Sequence, residues 1–228
     1  MSEARFDLKA AIDARLREGR PSMVWTPADF LDLAGRDAVD KTLQRMVAGR
    51  ELRRIDRGLY DRPTANALTH DLNAPDPRGV IEAVARRDQL RVLVDGMTAA
   101  NDLGLTDAVP ARIVVHTDAR LRPISLGKLA ITFRPTAPSK LYWAGRPAMR
   151  VVQALHWLRD ILGRDDEAAT LHARLRRLLH HPDTGAVLRA DLADGLSTLP
   201  AWMQDFLKPM LTEDDGASAQ IASRAASR

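Results

Sequence analysis

Lys41, Gln44 and Arg45 stand three to four residues apart, and Arg53, Arg54 and Arg57 follow shortly after them. Side chains at the first spacing share one side of a helix. Glutamine can bond adenine through two hydrogen bonds, and arginine or lysine can bond guanine, each good pair discriminating by about 1–3 kcal/mol. The second group suits phosphate oxygens or the minor groove, contacts that set register on a duplex. Arg36 and Thr42 flank the helical set. From residue 41 to residue 57, Lys41, Arg45, Arg50, Arg53, Arg54 and Arg57 face only Glu51 and Asp56, a local positive patch. The candidate DNA-binding residues are therefore Arg36, Lys41, Thr42, Gln44, Arg45, Arg53, Arg54 and Arg57.

Other chemistry finds less support. His70, His116, His156, His172, His180 and His181 include no pair at the spacing of a helical zinc motif, and there is no cysteine to help. Asp165-Asp166-Glu167 is the densest acidic cluster, but it sits where a helix should begin, and carboxylates there favour the positive end of the dipole. No phosphate loop and no glycine-flanked nucleophilic serine occurs. The expectation is a protein with no catalytic residues, no metal and no cofactor: not an enzyme.

The elements that must position these residues are legible in the apolar spacing. Phe6, Leu8, Ile12 and Leu16 predict a helix ending at Gly19. Ser22 to Trp25 reads as a short strand. Thr26-Pro27 then opens a second helix through Phe30, Leu31 and Leu33, with a hydroxyl N-cap and proline at the first position. Val39, Leu43, Met46 and Val47 give one face of a third helix over Asp37 to Ala48, stopped by Gly49. Glu51 to Ile55 and Leu59 to Asp61 form a hairpin turning on Asp56-Arg57-Gly58. Helix, helix, helix, hairpin is the winged-helix order.

Prolines between Arg62 and Pro77 resist both helix and ladder, so the expected division is a winged helix over 1–62 and a linker over 63–77. A mixed α+β domain over 78–211 should follow. In it the patterns predict a helix (Arg78 to Arg87), a strand (Gln89 to Val94), a short helix (Thr98 to Leu103) and strands at Ala111 to Thr117, Ile124 to Leu126 and Leu129 to Arg134. Helices after Pro147 would complete it, with Trp143, Trp157 and Trp202 as core. Residues 212–228 have no period and read as a disordered tail. The fold class is α+β, a winged helix-turn-helix followed by a mixed domain ending in helices.

The 228 residues carry a formal charge of +4, which permits a polyanionic partner without demanding one. Of the 34 Lys and Arg, lysine supplies only Lys9, Lys41, Lys128, Lys140 and Lys208, so arginine abundance by itself marks no site. The absence of cysteine fits a reducing interior. Met1-Ser2-Glu3-Ala4-Arg5 leads into no apolar run of signal length, so a cytoplasmic location without membrane association is expected.

Two blocks carry a family resemblance. The segments Phe30-Leu31-Asp32-Leu33, Val39 to Gly49 and Leu52 to Tyr60 resemble the N-terminal module of AbiEi-type antitoxins of type IV toxin–antitoxin systems. Gly96 to Leu105 with Val109-Pro110-Ala111-Arg112 is similar to the start of the C-terminal domain in a branch of that family. The resemblance implies a transcriptional autorepressor that binds inverted repeats of its promoter as a dimer or as paired monomers. It also implies a C-terminal domain that counters a nucleotidyltransferase-like toxin. The recognition helix would be Asp37 to Ala48 and the wing Arg53 to Tyr60. The competing readings are a winged-helix interaction protein, a solitary transcriptional regulator, or a DNA-targeted nuclease using Asp165 and Asp166.

Overall fold

A computed structural model describes residues 7–68, 70–162 and 165–212, the side chains of 165–167 excepted. The chain is α+β and forms two compact units, one of residues 1–92 with 111–137, the other of residues 93–110 with 138–228.

In the first unit, helix α1 (Leu8–Glu18) starts on Asp7, whose carboxylate accepts the N–H groups of Lys9 and Ala10, and buries Ile12 and Leu16. It stops at Gly19, where a Cβ would run into the ring of Trp25. Strand β1 (Val24–Trp25) leads to Thr26 and Asp29, which cap each other: Asp29 accepts from the Thr26 N–H at 2.7 Å and from its hydroxyl at 3.0 Å. The helix expected from Pro27 is realised as a four-residue 3-10 turn, Pro27–Phe30. The physical reason lies in its hydrogen bonds. Asp29 to Thr26, Leu31 to Ala28 and Leu33 to Phe30 all close over three residues, winding the backbone tightly enough to stack Phe30 on Trp25 at 5.4 Å.

Helix α2 (Arg36–Ala48) buries Val39, Thr42, Leu43 and Met46 against this core and ends at Gly49. Strands β2 (Arg53–Asp56) and β3 (Leu59–Asp61) pair antiparallel, and β1 adds to the far side of β3, giving the order β1-β3-β2 of a winged-helix sheet. The hairpin loop is one residue shorter than expected. Asp56 pairs with Leu59, leaving Arg57-Gly58 as the loop and Ile55 as an extra residue in β2. Gly58 takes the left-handed φ of +67° that such a loop needs.

Helix α3 (Pro77–Asp88) opens on Asp76 and packs on β1 and β3. Gly79 permits the approach, since a Cβ there would meet the Ser22 carbonyl at 2.7 Å. Arg86 donates to the Val24 carbonyl and to Asp29, and Arg53 reaches the Asn73 carbonyl at 2.7 Å. Residues 63–77 thus lie inside the first unit rather than between two domains, because the helix behind them is part of the winged helix's packing. The unit also holds β5 (Arg112–Thr117), β6 (Ile124–Leu126) and β7 (Leu129–Pro135), numbered after strand β4 (Val92–Val94), which spans the division. β6 and β7 form a hairpin on Gly127, and β7 runs parallel to β5 from Arg112 opposite Ala130 to Thr117 opposite Pro135.

The second unit is helical: α4 (Gly96–Asp102), α5 (Met149–Leu158), α6 (Asp165–Leu179), α7 (Gly185–Gly195) and α8 (Ala201–Thr212). Asp95 caps α4 by accepting the Thr98 N–H and hydroxyl, and Arg150 binds Asp102 at 3.0 Å. Arg146 pairs with Asp191 and Asp194 and lies over the rings of Tyr142 and Trp143. Trp143 is buried as expected, whereas Trp157 is 40% exposed, its Cβ serving instead as a close neighbour of Gly96. Thr212 closes α8 rather than opening an aperiodic stretch, and residues 213–228 of the expected tail lie outside the described residues. Among the described residues no helix is long and apolar enough to cross a membrane.

Candidate nucleic-acid interface

Helix α2 divides its residues as its spacing dictates. The buried stripe faces the core, leaving Arg36, Lys41, Gln44 and Arg45 exposed. Arg36, Asp40 and Gln44, each one turn from the next, line one wall of a cleft, while Lys41 and Arg45 stand on the neighbouring stripe outside that lining. Arg36 bonds Asp40 at 2.8 Å, so its charge is locally balanced. Arg45 donates to the Thr42 hydroxyl at 3.0 Å and keeps its remaining donors.

Two of the candidates are not available as expected. Thr42 is 1% exposed, and its hydroxyl donates to the Ala38 carbonyl while accepting from Arg45. Apolar neighbours at Leu43 and Met46 turn this position inward, so it braces the helix instead of touching a partner. Arg53 is held by both oxygens of Asp61, at 3.0 and 2.5 Å, and by Asn73. Asp61 is buried, and the pair is a structural tie across β2 and β3.

Arg54 and Arg57, by contrast, are exposed on the wing with no side-chain partner among the described residues. The wing tip itself is fixed. Arg87, at the end of α3, donates to the Arg57 carbonyl at 2.6 Å and is oriented by a two-bond pair with Asp88. That hydrogen-bonded pairing holds the Asp88 carboxyl below its usual range, so Arg87 has its counter-charge at neutral pH.

The cleft has a volume of about 790 Å³. Arg36, Gln44, Arg54, Arg57 and Arg87 line it from the winged helix and α3, Ile124 and Phe133 from the second sheet of the same unit, and Leu121 and Arg122 from the loop between β5 and β6. Its five arginines oppose three aspartates, Asp40, Asp56 and Asp88, two of which are already bound by Arg36 and Arg87. Arg87 and Arg122 lie outside the set that the sequence marks as candidates. For Arg87 the only signal is its place in the last turn of a helix, and for Arg122 there is none, because the pairing of β5 with β7 brings it here.

The histidines are dispersed. His116 meets the Thr136 hydroxyl at 3.0 Å, His172 lies edge-on to Phe206 and His156 edge-on to Trp202. Among the described residues no group of three or more His, Asp or Glu is placed to hold a metal ion. The acidic side chains of residues 165–167 lie outside the described residues.

A family model described as "Family of unknown function (DUF6088)" matches residues 11–185. No curated protein matches the chain. Among solved structures it is similar to the RV2827C protein from Mycobacterium tuberculosis, with 21% identity and a TM-score of 0.42, over 92% of this chain and 79% of that one.

Proposed function

The chain belongs to the DUF6088 family, whose function is unknown, and we propose that it is a double-stranded-DNA-binding regulator. In this reading α2 enters the major groove and the β2–β3 wing holds the adjoining backbone. One observation carries it: Lys41, Arg45, Arg54 and Arg57 are exposed on a helix and the hairpin that follows it, and none is paired with a carboxylate among the described residues. Cations left uncompensated on the two elements that reach a duplex suit a polyanion better than a neutral protein surface. Lys41, Gln44 and Arg45 would supply base contacts, and Arg54 and Arg57 phosphate contacts.

The resemblance of residues 30–60 and 96–112 to AbiEi-type antitoxins extends the proposal to biological role. The chain would act in the cytoplasm on inverted repeats of its own promoter and oppose a nucleotidyltransferase-like toxin, without enzymatic activity of its own. The test is a mobility-shift titration of the full chain on DNA upstream of its gene and on a scrambled duplex. Preferential binding of the first is expected. Equal affinity for both would remove the operator reading, and no binding at low salt would remove DNA binding altogether. Coexpression with a neighbouring nucleotidyltransferase-like gene should restore growth if the antitoxin role holds.

A further inference from the structure

We infer that the loop between β5 and β6 is a second wall of the nucleic-acid site, with Arg122 gripping the same phosphate backbone as Arg54 and Arg57. The inference rests on the DNA-binding reading above and adds a contact from outside the winged helix.

Arg122 lines the same cleft as Gln44, Arg54 and Arg57, and all belong to one compact unit. Its backbone is held at both ends. Before it, Asp118 accepts from the Arg91 N–H at 3.2 Å and from the Arg91 guanidinium at 3.1 Å. After it, Pro123 restricts Arg122 to extended conformations, and Ile124 is buried opposite Ile131. A backbone so anchored loses less freedom on binding than that of a free loop.

The charges left over specify the ligand's chemistry. With Asp40 bound by Arg36 and Asp88 bound by Arg87, the remaining ionised side chains of the cleft are Arg54, Arg57 and Arg122 against Asp56. Arg122 is exposed and has no partner among the described residues. Cations lining one cleft repel one another until an anion lies among them, and a phosphodiester strand offers acceptors along its length to each of them. Phe133 supplies an apolar surface beside them.

The experiment is fluorescence anisotropy of the full chain with a short labelled duplex, between about 50 and about 200 mM salt. Arg122→Ala should lower the slope of log affinity against log salt by about 0.9, one phosphate contact. Arg122→Lys should keep the slope. Lys128→Ala, at an exposed turn outside the cleft, should also keep it. An unchanged slope in Arg122→Ala, with Arg54→Ala reducing it, overturns the second wall and leaves the winged-helix reading standing. Equal reductions in Arg122→Ala and Lys128→Ala overturn it as well, since net charge alone would then explain them. A full chain that binds no duplex at the lowest salt removes both readings. Melting of Arg122→Ala, followed by circular dichroism, should match the parent chain, which separates lost contact from lost fold.

Discussion

Three neighbouring arginines of the wing do different work because of what sits opposite each. Arg53 faces buried Asp61 and is consumed by it, whereas Arg54 and Arg57 face solvent. Arg53→Ala should therefore destabilise the fold by about 2 kcal/mol, a partly exposed pair costing less than a fully buried one. Denaturant unfolding of the variant checks this, and its salt slope on DNA, measured where it is folded, should match the parent. Arg54→Ala and Arg57→Ala should do the reverse, each lowering the salt slope by about 0.9 with little loss of stability. The sequence displays the arginine cluster but not this division, since Asp61 becomes a partner only when β2 pairs with β3, and Asn73 only when the segment after β3 folds back to Arg53. Thr42 departs from its expected role for a different reason: three residues after Val39 and four before Met46, it lies on the buried stripe of α2, and its hydroxyl is spent on the Ala38 carbonyl. Asp88 gives a pH test at the same scale. Its carboxyl titrates below the ordinary value of about 3.9 because Arg87 stabilises the charged form. The stabilisation is complete above that ordinary value and disappears as pH falls through the lower, folded-state one. A carbon-13 carboxyl titration should find Asp88 titrating below the ordinary carboxylate value, and Arg87→Ala should bring it back toward that value.

At the scale of the elements, the wing's position depends on α3. Arg87 bonds the Arg57 carbonyl next to Gly58, and Gly58 alone supplies the left-handed turn. Gly58→Ala should cost about 1–2 kcal/mol from the backbone conformation. It should weaken DNA binding further by displacing Arg57. Arg87→Ala leaves that turn unstrained but unbraced, so binding should fall while the melting temperature changes little. Comparing anisotropy with calorimetry separates the two, and a variant that melts early with its affinity intact would contradict the bracing role. Apolar spacing made α2 and the hairpin readable in advance, since one stripe of buried residues and one glycine turn define them. It could not show that the segment after Pro27 closes into a 3-10 turn, where Asp29 is shared between Thr26 and Arg86, two partners 60 residues apart in sequence.

At the scale of the molecule, the first unit is not a winged helix on a tether. Val80 and Val84 of α3 are fully buried, Ile81 nearly so, and α3 packs on β1 and β3. Each such side chain contributes about 1.5–3 kcal/mol when covered, and Arg86 adds bonds to Val24 and Asp29. Prolines at 63, 75 and 77 suggested a boundary because they exclude helix and ladder, yet a segment without regular structure can still be pinned, as Asn73 is by Arg53. The true division escapes a linear reading altogether. The chain leaves the first unit after Val92 and returns at Ala111, and the parallel pairing of β5 with β7 that marks the return is not encoded in either strand's local pattern. A fragment of residues 1–62 should consequently lose several kcal/mol, a large part of the 5–15 kcal/mol typical of a domain. Urea unfolding should place its midpoint far below that of the full chain, with a broad transition. A fragment that unfolds at the full chain's midpoint would show that the winged helix stands alone and that α3 adds nothing to it. Limited proteolysis supplies the complementary readout, because a braced 63–77 segment should resist cleavage under conditions that cut a free linker.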